Sequence, residues 1–442
     1  MTRPHPPFYW KREIETASPE AVRRLQWERL RPLLAYVFEK SGFYREKYER
    51  AGVRLGDVRS MEDLRKLPLT TKEEWMEEQA ARPPFGRNHT EAAEDYIRIF
   101  QTSGSSGRYL RVMETRRSWD WRLETAAYLY RSAGVSDRDR VFFAFQFGPF
   151  AAFWTMFGGA ERLGAAVIPS GGFSSEERLR LILDLDATVL VCTPSYAIRL
   201  AEVARNGGMD IAGSAIRRTI HAGEPGASIP ATRRMIEEAW GAKSFEFAGM
   251  TEVGLFAYSC DEQSGVHCLE SENFLEILDP VTGEPAGEGE SGELVVTNFG
   301  RHGYPAVRYR TGDLVRTAGR DCPCGRKFLL LGGGILGRVD DMLIVRGVNV
   351  YPTTVERALR ECVPVDEWQV VLAKNASGVD EITVRFEPSG GVVGGEDLSR
   401  EVGQALSRLH GGLRFNIEVA EPGSLPRHEF KARRVVDRRA SA

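Results

Sequence analysis

The chain has 442 residues, 42% of them hydrophobic and 27% charged, enough to bury one large core or several smaller ones, so at least two domains are expected. A formal net charge of −3 leaves no basic surplus for a phosphate backbone, which argues against a nucleic-acid partner; the Arg-rich stretch from Lys431 to Arg439 reads as a solvated face. No apolar run reaches the roughly 18 residues of a membrane helix, and the first residues lack a signal peptide's apolar segment, so a cytoplasmic protein without a membrane partner is expected.

The first hundred residues read as amphipathic helix, with Leu25, Leu30, Leu33, Leu34, Val37 and Phe38 at helical spacing, ending in a loop at Arg82-Pro83-Pro84-Phe85-Gly86. Short apolar runs then alternate with helical patterns: a strand from Val141 to Phe147, a helix through Phe153 to Leu163, a strand from Ala165 to Pro169. Between Phe274 and Arg316 the texture turns to short strands split by Gly- and Glu-rich turns, as in a β-rich subdomain. A new strand at Met342 to Val345 opens a small α+β pattern of its own, which sets the expected boundary: a large domain at 1–339 and a small one at 340–442. The fold class is α/β, with a large N-terminal domain of α/β subdomains plus the β-rich subdomain and a small α+β C-terminal domain.

Several short segments carry chemistry. Ser103-Gly104-Ser105-Ser106-Gly107-Arg108 follows the strand-like Tyr96 to Phe100; its glycines let backbone N–H groups turn inward and its hydroxyls and Arg108 add donors, which suits nucleotide phosphates, although a plain Ser/Gly turn has the same composition. No Gly is followed by Lys and then Ser or Thr, so no Walker A loop is present. Phe247-Ala248-Gly249-Met250-Thr251-Glu252, with Gly223-Glu224-Pro225 upstream, sets a carboxylate beside a hydroxyl in a Gly-containing turn, as a Mg²⁺–phosphate site needs; a capped turn before a helix would look alike. Tyr309-Arg310-Thr311-Gly312-Asp313 puts an acid where a strand end could bind ribose hydroxyls, or where a hairpin turns. Gly337-Arg338-Val339-Asp340 lies at the domain boundary, and Lys431 follows the Gly- and Pro-bounded run Gly423-Ser424-Leu425-Pro426, where it is a point charge for a developing phosphate or simply a solvated lysine.

Cysteines are too few for a disulfide scaffold, at six in the whole chain, and four donors have metal-like spacing. Cys260, His267, Cys322 and Cys324 offer soft sulfur and nitrogen ligands for a structural, tetrahedral zinc ion, against the competing reading of ordinary reduced thiols. Cys268 stands next to His267 and is an alternative ligand, while Cys192 and Cys362 read as core thiols.

In their order and spacing these segments, together with Tyr9-Trp10 and Pro68-Leu69-Thr70-Thr71-Lys72, resemble the adenylate-forming superfamily and its phenylacetate-CoA ligase-like branch over nearly the whole chain. The resemblance implies an acid–thiol ligase that makes an acyl-adenylate from ATP and a carboxylic acid, releases pyrophosphate, and passes the acyl group to CoA. It implies that Ser103 to Arg108 form the phosphate loop and that Gly223-Glu224-Pro225 and Phe247 to Met250 border the adenine. Thr251 and Glu252 would meet the α-phosphate and Mg²⁺, and Asp313 and Arg338 the ribose. Asp340 would be the hinge of a mobile small domain, and Lys431 the lysine bridging carboxylate and α-phosphate. Some members of the branch carry zinc at the Cys/His set, and a homodimer is the expected assembly. The family's adenine-stacking aromatic is replaced here by Ala248, and its Lys-Pro after the phosphate loop by Arg108-Tyr109.

Alternation places Phe143, Phe145 and Phe147 on one strand face; by the family pattern Phe145, Phe147, Phe150 and the His221-Ala222 backbone line the acid pocket, which favours an aryl or arylacetic acid. The rival expectation keeps adenylation but delivers the acyl group to a carrier-protein thiol or an amine, and a remote one is a non-catalytic nucleotide-binding protein.

Overall fold

The computed structural model describes residues 8–102, 109–287, 289–375, 378–389, 396–427 and 434–439. The chain divides into two compact units, one of residues 1–172 with 245–334, the other of residues 173–244 with 335–442.

In the first unit the helix Pro19–Lys40 starts where the Ser18 hydroxyl accepts from the Ala21 N–H and Pro19 supplies a preset φ. Leu30, Leu33, Leu34 and Val37 recur at helical spacing and are at most 1% exposed, so one stripe of this helix is core. Thr71 caps the helix Lys72–Ala81 through a reciprocal box with Glu74, which aims Lys72 from its first turn. Just before it, Thr70 is pinned to the β-rich part: its N–H donates to the Arg308 carbonyl, its hydroxyl to that of Val307, and its own carbonyl accepts from Arg310.

Strands Tyr96–Gln101 and Arg111–Thr115 form an antiparallel ribbon around residues 102–110. Arg140–Phe143 and Ala166–Pro169 pair in parallel, joined by the helix Ala151–Leu163, the arrangement a strand–helix–strand crossover produces. The strand expected over Val141 to Phe147 stops at Phe143, and Phe145 and Phe147 lie in the loop beyond it. Apolar alternation continues past the strand end, but Phe147 takes a φ of +41° and Pro149 follows, neither of which extends a ladder. Antiparallel pairing joins Gly254–Ser259 to the end of Lys243–Met250 and to Gly265–Cys268, which in turn pairs with Leu330–Gly332. The β-rich part is the antiparallel set Asn273–Leu278, Ser291–Asn298 and Tyr309–Arg316.

In the second unit the parallel strands Val189–Cys192 and Arg218–His221 are joined by the helix Pro194–Asn206, capped by Thr193. Further on, Val365–Lys374 and Asp380–Pro388 pair antiparallel at the centre of a four-stranded sheet edged by Asn416–Val419 and Val435–Asp437, each in parallel. The helices Pro352–Cys362 and Glu396–Leu409 cover it, burying Val355, Leu359, Trp368, Val384, Phe386 and Leu406 in one core. This is the small α+β pattern expected for the last hundred residues. Mixed α/β architecture holds for the chain as a whole.

Candidate functional site

Thr251 and Glu252 occupy the tight connection between Lys243–Met250 and Gly254–Ser259. The strands approach so closely there that a Cβ on Gly249 would stand 2.8 Å from the Gly254 carbonyl oxygen, so glycine is required. Glu252 is 2% exposed, its Oε1 accepts no hydrogen bond among the described residues, and the ammonium of Lys72 stands 3.7 Å from it. A buried carboxylate oxygen with an open lone pair and a cation just beyond hydrogen-bond reach is a fit for a hard divalent ion such as Mg²⁺.

The backbone of the same turn is held from behind. Arg122 and Arg301, 2% and 0% exposed, donate to the carbonyls of Thr251 and Glu252 respectively. Both also donate through Nε to one oxygen of buried Glu114, at 2.6 and 2.8 Å. Burial pulls the Glu114 carboxyl upward, but the two guanidinium groups outweigh it and hold it below its usual value; burial lowers Arg122. Arg301 enters this packed space because residue 300 is glycine: a Cβ there would lie 2.0 Å from the Trp121 ring, itself fixed by its N–H to Glu272.

Asp313 sits neither at a strand end nor in a hairpin, as expected, but inside Tyr309–Arg316. The register jumps from Glu293↔Leu314 to Val295↔Arg310, so residues 311–313 bulge opposite Leu294, with Gly312 at φ +74° and the Thr311 hydroxyl bonded to the Leu294 carbonyl. Phe247 and Ala248 are buried within their strand, 8% and 7% exposed, while Gly249 is exposed and Met250 half-buried.

Aromatic rings gather after Phe143. Phe145 stacks on Phe153 with centroids 3.9 Å apart, Phe150 meets Phe153 edge-on, and Phe147 meets Trp154 and Phe157 edge-on. Phe145 is spent on that stack, whereas Phe147 and Phe150 remain half-buried.

The four metal-type donors come together. The ligand atoms of Cys260, His267, Cys322 and Cys324 all lie within 4.8 Å of one another, and all four residues are buried. His267 Nδ1 faces the Phe328 carbonyl at 3.3 Å, the partner that leaves Nε2 as ligand, and Nε2 stands 3.4 Å from Cys324 Sγ. Burial lowers His267, but negative charge on the Cys322 and Cys324 sulfurs beside it outweighs that effect and pushes it up to about 9. Cys268, next along the strand, is outside the group, and burial holds its thiol protonated. The N-terminus wraps the cluster: Tyr9 donates to the Cys324 carbonyl at 2.6 Å, and Arg326, 1% exposed, pairs with fully buried Glu15 at 2.7 Å. Three sulfurs and a nitrogen in a dry tetrad suit zinc and leave no open coordination position.

In the second unit the Glu224 carboxylate accepts from the Ser195 N–H at the start of Pro194–Asn206, at 2.9 Å, and Gly223 turns with φ +98°. The His221 side chain is fully buried, with Nε2 at 2.8 Å from the Thr219 hydroxyl and Nδ1 at 3.2 Å from the Cys192 carbonyl; burial pushes its pKa down to about 4, so it is a neutral core imidazole. Arg338 and Asp340 form a two-pronged pair at 2.8 and 3.0 Å. Ser103 to Arg108 and Lys431 lie outside the described residues, but both flanks of Lys431 are anchored. Arg427 pairs with Glu387, which is 1% exposed and also accepts from the Gly423 and Leu425 N–H groups. Arg434 is held by Glu367 at 2.5 Å and lies over the Trp368 ring.

Glu114, Arg122, Arg301 and Glu387 escaped the sequence reading, because no local motif carries them; Lys72 was visible only within Pro-Leu-Thr-Thr-Lys.

Comparison with known proteins places these features in a lineage. Residues 46–300 match the AMP-binding enzyme family and residues 347–439 its C-terminal domain. Phenylacetate-coenzyme A ligase of Thermus thermophilus is 36% identical over 97% of this chain and 99% of its own length, and that of Escherichia coli K12 is 32% identical over 96% and 97%. Among solved structures, 2-hydroxyisobutyryl-CoA ligase in the postadenylation state, in complex with R3-HIB-AMP, superposes with a TM-score of 0.92 at 31% identity, covering 100% of this chain and 94% of that one.

Proposed function

The chain belongs to the AMP-binding enzyme family, on its phenylacetate-CoA ligase-like branch, and on that premise we propose how its own residues carry out the reaction. It is an AMP-forming acid–CoA ligase: a carboxylate oxygen attacks the α-phosphorus of ATP, pyrophosphate leaves, and the thiolate of CoA then attacks the acyl carbon and expels AMP. The acid we assign is an aryl or arylacetic acid, with Phe147 and Phe150 as flat walls; the family pattern assigns the His221-Ala222 backbone to the same role.

The observation that carries the assignment of roles is buried Glu252 with its open oxygen. Glu252 would hold Mg²⁺, which when bound neutralises phosphate charge, and Thr251 would donate to the α-phosphate. Ser103 to Arg108 would cradle the outer phosphates, Asp313 and Arg338 the ribose, and Gly223-Glu224-Pro225 with Phe247 to Met250 the adenine, held largely by backbone since Ala248 offers no ring. Lys431 would bridge the two anions in adenylation and leave when residues 340–442 turn about Asp340. Zinc at Cys260, His267, Cys322 and Cys324 is structural in this reading, and a homodimer is the proposed assembly. Among the described residues no helix is long and apolar enough to cross a membrane.

Acid-dependent ATP–pyrophosphate exchange over a panel of aryl, arylacetic, short hydroxy and long-chain fatty acids tests reaction and substrate together. Exchange with aromatic acids and an acyl-CoA product are expected. Activity confined to fatty or short hydroxy acids would reject the substrate, acyl transfer only to a pantetheinylated carrier or an amine would reject CoA, and ADP as product would reject the chemistry.

A further inference from the structure

One cluster of charges is not used by the chemistry above. Glu114 belongs to the strand Arg111–Thr115, Arg122 to the helix Arg116–Ser132, and Arg301 to the segment after Ser291–Asn298. All three are at most 2% exposed. Taking two guanidinium groups and a carboxylate out of water is costly before their attraction is counted, and apolar residues of similar volume are often as stable or more so. Stability alone is therefore a poor reason for the cluster.

Its hydrogen bonds point to a different use. Each arginine turns one N–H to Glu114 and another to a main-chain carbonyl, and the two carbonyls belong to the consecutive residues Thr251 and Glu252. A peptide unit whose carbonyl is held cannot rotate, so the backbone direction from which the Glu252 side chain departs is fixed. Arg301 is itself steadied over the Tyr304 ring, 5.2 Å from its centroid, and by the absence of a side chain at Gly300. Counting Lys72 and Glu252, three cations face two carboxylates; among the described residues Glu114 Oε2 and Glu252 Oε1 accept no hydrogen bond, and of these it is Glu252 Oε1 that has the Lys72 ammonium 3.7 Å away.

We propose that Arg122 and Arg301, yoked by Glu114, are positioning residues for adenylation: they clamp the Thr251–Glu252 turn from behind so that its carboxylate and hydroxyl meet the metal-bound triphosphate without reorganising. The proposal rests on the reading of that turn as the Mg²⁺ and α-phosphate site. It predicts an effect on the half-reaction that handles the triphosphate, not on the one that handles the finished adenylate.

The test uses full-length Arg301→Met, Arg301→Lys, Glu114→Gln and Glu252→Gln enzymes, each checked by circular dichroism and melting temperature. For each, pyrophosphate exchange is measured against free Mg²⁺, and CoA thioester formation from synthetic acyl-adenylate is measured separately. Arg301→Met should lower kcat for exchange by roughly 100-fold, the scale of a misplacement of about 1 Å, and raise the Mg²⁺ needed for half-activity. Transfer from supplied adenylate should change by less than about threefold, and Arg301→Lys should recover part of the loss by reaching one of the acceptors. Equal loss of both half-reactions would mark the cluster as merely structural, and unchanged exchange in a folded Arg301→Met enzyme would overturn it outright. If Arg301→Met does not fold, the nearly isosteric Glu114→Gln decides by the same two outcomes. Glu252→Gln separates the premises: an unaltered Mg²⁺ dependence refutes the reading of the turn, whereas an altered one beside normal Arg301 variants refutes only the clamp.

Discussion

Replacing Glu387 by alanine should uncouple the loop that leads to Lys431. The carboxylate is 1% exposed and accepts four hydrogen bonds: from Gly423 N at 2.9 Å, Leu425 N at 2.6 Å, and the Arg427 guanidinium at 3.1 and 2.6 Å. Breaking a buried ion pair costs about 3–5 kcal/mol, because the remaining charge is stranded. Arg427 is 22% exposed and has a second carboxylate, Glu202, at 3.6 Å, so the low end, about 3 kcal/mol, is expected. Glu387→Gln keeps an acceptor for one N–H and should lose about half of that. Urea unfolding gives the stability, and pyrophosphate exchange gives the activity, which should fall about tenfold since Arg427 stands four residues before Lys431. A folded Glu387→Ala protein within about 0.5 kcal/mol of the parent and with full exchange would refute the reasoning.

Other outcomes follow from the same geometry. Lys431→Ala should reduce pyrophosphate exchange by at least about 100-fold while sparing thioester formation from pre-made adenylate, and equal losses would contradict its role. Purified protein should carry one zinc per chain by elemental analysis, and Cys324→Ser should release it and lower the melting temperature; full retention of zinc in that variant would remove Cys324 as a ligand. His221, held near 4 while an unfolded histidine titrates near 6.5, takes up its proton first in the unfolded chain. As pH falls through that window stability should therefore decline by up to about 1.4 kcal/mol per unit, and His221→Gln should flatten the slope. Parallel pH–stability curves for the two proteins would show that His221 is not the group responsible.

What the sequence disclosed depended on how local each signal was. Cys-Pro-Cys-Gly and the separate pair Cys260 and His267 are each short patterns with a chemistry of their own, and the donors do meet in space. Glu114 and Arg301, by contrast, are 187 residues apart, and nothing in either neighbourhood announces the other. Patterning named the aromatic run after Val141 but overran the strand, since alternation records which side chains are apolar and not where Phe147 departs from extended backbone. Turn chemistry at Thr311-Gly312-Asp313 was real as well; it makes a bulge inside a strand because the ladder continues on both sides.

Glu15 also has a temporal meaning. Its partner Arg326 lies 311 residues further along the chain, so while the polypeptide is being synthesised the short helix Arg12–Glu15 must wait with an unneutralised acid that is destined for the interior. The clasp at Tyr9 and Glu15 can close only after Cys322 and Cys324 have left the ribosome. Docking of the N-terminus is thereby made a late step in biogenesis, and a nascent chain arrested before residue 326 should leave that helix open to proteases.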